Sequence, residues 1–193
     1  MKEEKSPQSS TKAVLQKMRG RQWEGKNLLD ILEEKQLIDE EKRKLIEKEG
    51  LDLNSPCPWD NAPTTGDSLL TPTKIYVKAC VPLIKKGLIK GLAHITGGGL
   101  LENLPRSLPD GVGAEISGHP PLPSVFKWMQ SASGLDDNEL LRTFNCGVGM
   151  VLILDQSNVK AAKESLRETS DDIVYDLGYL VEGSGVRVTS KLS

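Results

Sequence analysis

Apolar positions are few in the helical patterns of the first fifty residues of this chain, and the patterns sharpen after them. Leu28, Ile31 and Leu32 follow Asn27 and Asp30, a pair that reads as a capping box; Leu45 and Ile46 are the only apolar side chains between Asp39, a helix cap, and Gly50, a stop. An earlier short helix is expected from a cap at Ser10 or Thr11 through Met18, ended by Gly20. Helices this short, with so little to bury, are marginal without a partner surface. Residues 51–67 carry Pro56, Pro58, Pro63, Asn54, Asn61 and Gly66 and read as a loop.

Beyond the loop the patterns sharpen. Ile75, Ala79 and Leu83, with Tyr76, Cys80 and Ile84, recur at i, i+4; Pro72 at a first helical position and Gly87 as the stop predict one helix with a buried face. Strands are predicted over 88–96 and 112–116, and helices over 100–108 and 123–132, the latter offering Val125, Phe126, Trp128 and Met129 for packing. Asp136 and Glu139 form a capping box for a helix to Phe144. The near-continuous apolar run 148–154 is short enough for a buried strand, and 157–168 is helical on Val159, Ala162 and Leu166. Two strands, 173–180 and 186–189, close the chain around a hairpin turn at Glu182-Gly183-Ser184-Gly185. Helices and strands mix without a regular repeat, which predicts an α+β fold: a mixed β-sheet packed with helices, preceded by a short charged helical segment. The expected organisation is a charged extension over 1–50, a linker over 51–68 and a domain over 69–193.

Charge supports that division. The first fifty residues hold 12 basic and 11 acidic side chains but only 3 of the 18 glycines. Over the whole chain the formal charge is −2, which gives no field to gather nucleic acid or an anionic membrane, so any anion site must be local. Cys57, Cys80 and Cys146 lie too far apart for a disulfide framework or paired zinc ligands, and the charged start, Met1-Lys2-Glu3-Glu4-Lys5, leads into no secretory apolar stretch. A cytoplasmic location is expected.

The most informative chemistry lies in His94-Ile95-Thr96-Gly97-Gly98-Gly99-Leu100-Leu101-Glu102-Asn103, where a strand runs into three glycines and then a helix. Such a segment lets backbone approach a ligand while unpaired helix N–H groups face it, a recipe for holding phosphate. The same triple glycine also makes a tight structural turn, and it matches neither the Walker pattern nor the dinucleotide fingerprint. His94 is open in the same way, between a hydrogen-bonded structural residue and an acid, base or ligand.

Four segments together carry a resemblance: Leu69-Leu70-Thr71-Pro72-Thr73-Lys74-Ile75-Tyr76; Ala93-His94-Ile95-Thr96-Gly97-Gly98-Gly99; Glu102-Asn103-Leu104-Pro105-Arg106; and Arg142-Thr143-Phe144-Asn145-Cys146-Gly147-Val148-Gly149-Met150. In order and spacing they closely resemble the C-terminal half of aminoimidazole ribonucleotide synthetase, the phosphoribosylformylglycinamidine cyclo-ligase family. The resemblance implies an ATP-dependent ring closure with Mg²⁺ accompanying ATP, in which an amide oxygen of formylglycinamidine ribonucleotide is activated and displaced by an internal nitrogen. It implies that Gly97, Gly98 and Gly99 cradle a phosphate or phosphoryl group and that His94 lines the cleft as a hydrogen-bond or proton-transfer group. Asn103 and Arg106 would orient the loop or contact the anion, Arg106 being equally readable as a surface residue, and Asn145 would face the cleft. No metal ligand is assigned in this chain. Cys146, leading into an apolar run, reads as an inert buried thiol, and His119, between prolines and glycine, as an exposed loop residue.

Two departures stand out: Lys74 where the family usually has arginine and Ser107 where a hydrophobic residue is usual. The family's N-terminal half, which by resemblance supplies the ATP-binding segment, the metal-binding acids and the main dimer contacts, is expected to be missing, leaving the site incomplete in this chain alone. Expected partners are therefore formylglycinamidine ribonucleotide, ATP, and an N-terminal synthetase half or another protein, with no nucleic acid and no membrane. The alternative expectation is a non-catalytic module that keeps a phosphate-binding loop or binds a protein through its charged helices.

Overall fold

The computed structural model describes residues 40–192, so the helices expected around 11–18 and after Asn27 lie outside the described residues. The chain divides into two compact units, one ending at Thr73 and one running from Lys74.

In the first unit, helix α1 (Glu40–Lys48) ends as its sequence predicts, with Gly50 at φ +61° and its N–H on the Glu47 carbonyl. Ile46 is buried. The expected loop contains a one-turn helix, α2 (Thr65–Leu69), capped by Thr64, whose hydroxyl accepts the Asp67 N–H at 3.0 Å. Polar side chains order the preceding loop: the Trp59 indole donates to Ser68 Oγ at 2.9 Å, and Ser68 donates to Asp60.

The second unit is built in layers. Helix α3 (Val77–Lys85), strand β1 (Gly91–His94), helix α4 (Gly99–Asn103), strand β2 (Val112–Ile116), helices α5 (Ser124–Ser133) and α6 (Asp137–Thr143), strand β3 (Met150–Ile153), helix α7 (Val159–Thr169) and strands β4 (Gly178–Glu182) and β5 (Val186–Val188) follow in order. β1 pairs antiparallel with β3, Ala93 opposite Val151. One face of this ribbon carries Ala93, Val151 and Ile153 into a core with Leu100, Leu140 and Leu141 of α4 and α6; the other carries Leu152 against Ala79, Leu83, Ala162 and Leu166 of α3 and α7. Alternation along β3 thus feeds two helix layers. The second sheet has the order β4-β2-β5. These elements bear out the α+β reading, and no helix among the described residues is long and apolar enough to cross a membrane.

Several elements differ from expectation. Helix α3 begins at Val77, five residues after Pro72, because the residues before it are engaged elsewhere: Lys74 pairs with Asp172, and the Tyr76 ring meets His94. Ile75 and Ile84, assigned to the buried face, are exposed, whereas Ala79, Cys80 and Leu83 are buried. The strand expected over 88–96 is only Gly91–His94, and the helix expected over 100–108 stops at Asn103 and resumes as the 3₁₀ turn Pro105–Ser107, since Pro105 has no N–H to continue it.

The two closing strands form no hairpin. β4 and β5 lie on opposite sides of β2, antiparallel and parallel to it, and the connection passes over Gly113, where a Cβ would stand 3.0 Å from the Gly185 carbonyl oxygen. β4 starts at Gly178 rather than Ile173, because 170–177 pairs with no strand. His119 is half-buried rather than exposed: Nδ1 lies 2.7 Å from its Pro120 carbonyl partner, Nε2 is buried without a hydrogen-bond partner, and burial depresses the imidazole pKa.

Candidate functional site

The glycine loop follows the C-terminal end of β1. Ala93 and Ile95 point into the core, so alternation turns His94 and Thr96 outward, and His94 is exposed at the strand's end. Gly98 and Gly99 both take the left-handed conformation, at φ +92° and +54°. The Gly99 N–H returns to the Thr96 carbonyl at 3.0 Å, closing the turn, while the Gly97 and Gly98 amides make no backbone hydrogen bond. Asn103 is the brace: buried, its amide donates to the carbonyls of Gly97 at 3.0 Å and Gly99 at 2.8 Å. A buried amide making two such bonds fixes both ends of the loop.

Each glycine has its own reason. A Cβ on Gly99 would overlap the Leu141 carbonyl and stand 2.6 Å from that of Phe144, so the loop is pressed onto the end of α6. On Gly98 the nearest atom to a Cβ would be a Glu102 carboxylate oxygen at 2.7 Å, whereas Gly97 meets nothing within 4 Å and is exposed. Packing therefore requires Gly99, and the open approach to the loop is over Gly97. Glu102 places a negative charge beside that approach, and Arg106, exposed, faces Glu102 at 3.9 Å.

The 145–149 loop lies against the same corner. The Asn145 side chain accepts its own loop's Gly147 N–H at 3.0 Å, an Asx turn, and Gly149 receives the Ile95 N–H on its carbonyl. Tyr76 covers both strands here: its ring meets His94 edge-on, with centroids 6.0 Å apart, and its hydroxyl packs against Gly149. Burial first, and the Asp172 carboxylate second, raise the Tyr76 pKa, so the phenol stays protonated at neutral pH. Burial opposes ionisation of Asp172, but hydrogen bonds from Lys74 and Ser170 outweigh it and hold its pKa below the ordinary carboxylate value. Cys146 sits at φ +48° with its thiol toward the Leu140 carbonyl, and burial pushes its pKa up to about 12, which makes it inert as a nucleophile.

Residues 27–191 match the family described as AIR synthase related protein, C-terminal domain. The chain belongs to that family. As an AIR synthase-related domain it is 49% identical over 141 residues to a bifunctional purine biosynthetic protein of Saccharomyces cerevisiae and 44% identical over 154 residues to one of Dictyostelium discoideum, covering 72% and 78% of this chain. It spans only 18% of the length of each of these relatives. The crystal structure of tt0281 from Thermus thermophilus shares the fold, with a TM-score of 0.53 at 21% identity, over 79% of this chain and 46% of that one. The family match begins at Asn27, inside the charged segment.

The AIR synthase-related domain brings His94, Gly97, Gly98, Gly99 and Asn103 to one corner; Asn145 bonds its own turn and Arg106 faces Glu102. Among the described residues no three His, Cys, Asp or Glu side chains converge to hold a metal ion. Tyr76 and Glu102 are the site residues that pattern reading missed. Glu102 sits four residues after Gly98, a spacing that places its side chain over the loop on a helix start, and this was the available signal. Nothing local announces Tyr76, because its contacts come from two distant strands. Of the two departures, Ser107 finds a partner in the Leu92 carbonyl at 2.8 Å and Lys74 in Asp172.

Proposed function

We propose that this domain contributes the phosphoryl-facing wall of an ATP-dependent cyclo-ligase site in de novo purine synthesis, acting on formylglycinamidine ribonucleotide to give aminoimidazole ribonucleotide, ADP and phosphate. The observation that carries the reading is the open approach over Gly97 to two amides without backbone acceptors, held by Asn103 and flanked by His94. Membership of the AIR synthase-related family and the purine biosynthetic names of its relatives support it. In this reading the amide oxygen of the substrate takes the γ-phosphoryl group, the internal nitrogen attacks the same carbon, and phosphate leaves with that oxygen. Oriented backbone donors stabilise charge on the transferred oxygens, and no protein nucleophile is needed. In this reading His94 exchanges a proton with the substrate. ATP and Mg²⁺ are assigned to a second synthetase half, on this or another chain.

Glu102 favours a second reading, since a carboxylate beside the loop repels an anion: the loop would be a brace and the domain a non-catalytic module. One titration separates the two. Inorganic phosphate added to the ¹⁵N-labelled chain should shift the amides of residues 97–101, more strongly in Glu102→Gln. Gly97→Ala, which the open space tolerates, should abolish the shifts at unchanged melting temperature. Identical titrations in wild type and Gly97→Ala would reject the phosphate reading. In a turnover assay, ATP-dependent product should form only when a family N-terminal half is supplied.

A further inference from the structure

A carboxylate beside a phosphate cradle needs a reason, and packing does not supply one for Glu102. Its side chain folds back from α4 over the glycine loop: a Cβ built on Gly98 would stand 2.7 Å from its Oε2 and 3.3 Å from its carboxyl carbon. The side chain is 51% exposed, so it fills no core. Its ion-pair partner Arg106, one turn on, stands at 3.9 Å, beyond hydrogen-bond reach. Asn103, the next residue, ties α4 to the carbonyls of Gly97 and Gly99, so the helix that carries the carboxylate keeps a fixed place relative to the loop.

This charge repels a bare phosphate, but it favours a ligand that carries a cation close to its anion. The substrate of the cyclo-ligase reading is such a ligand. Its amidine is protonated at neutral pH and becomes a planar cation whose N–H groups form the same fork that a guanidinium offers. A carboxylate accepts two parallel hydrogen bonds from a fork of this kind. Arg106 already brings one planar cation toward Glu102 without bonding it, so the acceptor oxygens remain open to another. The open approach over Gly97 leads to the same place, since a Cβ there meets nothing within 4 Å.

We infer that Glu102 is a specificity-determining residue of this site: it binds the amidinium group of the substrate and separates formylglycinamidine ribonucleotide from its neutral amide counterpart, formylglycinamide ribonucleotide. The inference rests on the cyclo-ligase reading above. Under it, the carboxylate that counts against a simple phosphate site becomes a filter that disfavours anions lacking a neighbouring cation. It also holds the group that supplies the ring-closing nitrogen. Because water reaches this carboxylate, the discrimination is about tenfold rather than the far larger factor of a fully buried pair.

Calorimetric titration of the full chain with each of the two nucleotides, alone and in the presence of a family N-terminal half, tests this. The wild-type chain should bind the amidine about tenfold more tightly than the amide. Glu102→Gln keeps the shape and removes the charge of an exposed side chain, so it should stay folded and bind both nucleotides alike. Equal binding of the two by wild type, or a preference that survives in Glu102→Gln, would overturn the inference. Inorganic phosphate, read at the amides of residues 97–101, reports on the cradle separately. Phosphate shifts there without any preference between the nucleotides would reject the role of Glu102 alone. Absence of those shifts, with neither nucleotide bound, would reject the cyclo-ligase reading and the inference with it.

Discussion

Gly149 lies under the phenol of Tyr76 so closely that a methyl group on its Cα would overlap the tyrosine hydroxyl. The contact joins the strand carrying His94 to the loop before β3 through one side chain. Gly149→Ala must therefore push the ring aside, and overpacking of this kind costs about 1–3 kcal/mol. Removing the hydroxyl with Tyr76→Phe relieves part of the overlap. Urea denaturation of the two single variants and the double variant should show a coupling of about 0.5–3 kcal/mol, favourable in the double. Additive effects would mean that the ring sits elsewhere in solution.

The three glycines should respond in a graded series. Gly97→Ala is expected to leave stability within about 0.5 kcal/mol of wild type, since the added methyl meets nothing. Gly98→Ala should cost about 1–2 kcal/mol, from its φ of +92° and the displacement of a flexible Glu102. Gly99→Ala confronts backbone carbonyls of α6 that cannot swing away and should cost more than about 3 kcal/mol. Equal losses at Gly98 and Gly99, read from denaturation midpoints, would contradict the packing described for α6.

What the chain revealed in advance was local. Asp136 caps α6 by accepting the Glu139 N–H at 2.9 Å, Gly50 closes α1 at φ +61°, and β2 occupies the five residues its pattern predicts, because each signal acts within a few residues of its source. The glycine loop was legible as a place but not as a mechanism. Its three glycines look alike in sequence, and only the approach of α6 to Gly99 and the emptiness around Gly97 tell them apart. Residues 71–76 and 173–177 were misread for a shared reason. Both are tied by a contact that no local signal encodes, the Lys74–Asp172 pair, which links positions almost a hundred residues apart.

Thiol reactivity should separate the three cysteines. Cys146 is fully buried with its pKa pushed up to about 12, and burial also raises that of Cys80, so neither presents thiolate or access at mildly alkaline pH. Cys57 is partly exposed. Iodoacetamide followed by mass spectrometry should modify Cys57 in the native chain and the other two only after denaturation. Native labelling of Cys146 at the rate of Cys57 would refute its burial.

His119 gives the domain an acid-sensitive point. Burial depresses its folded-state pKa below the unfolded reference of 6.5, the Pro120 carbonyl offsetting this only in part, and Nε2 has no acceptor ready for a second proton. The unfolded chain therefore binds the proton more readily than the folded one between the two pKa values. Stability from this group is fully present above about pH 6.5 and declines as pH falls toward the depressed folded value, with a limiting slope of about 1.4 kcal/mol per pH unit. Carboxylates titrate in the same range, so the informative quantity is the difference between wild type and His119→Gln. Denaturation midpoints measured at about pH 7.5 and about pH 5.5, on either side of the reference value, should fall further in wild type than in the variant. An equal fall in both would place the imidazole in water, hydrogen-bonded at both nitrogens, and would remove the burial on which the prediction rests.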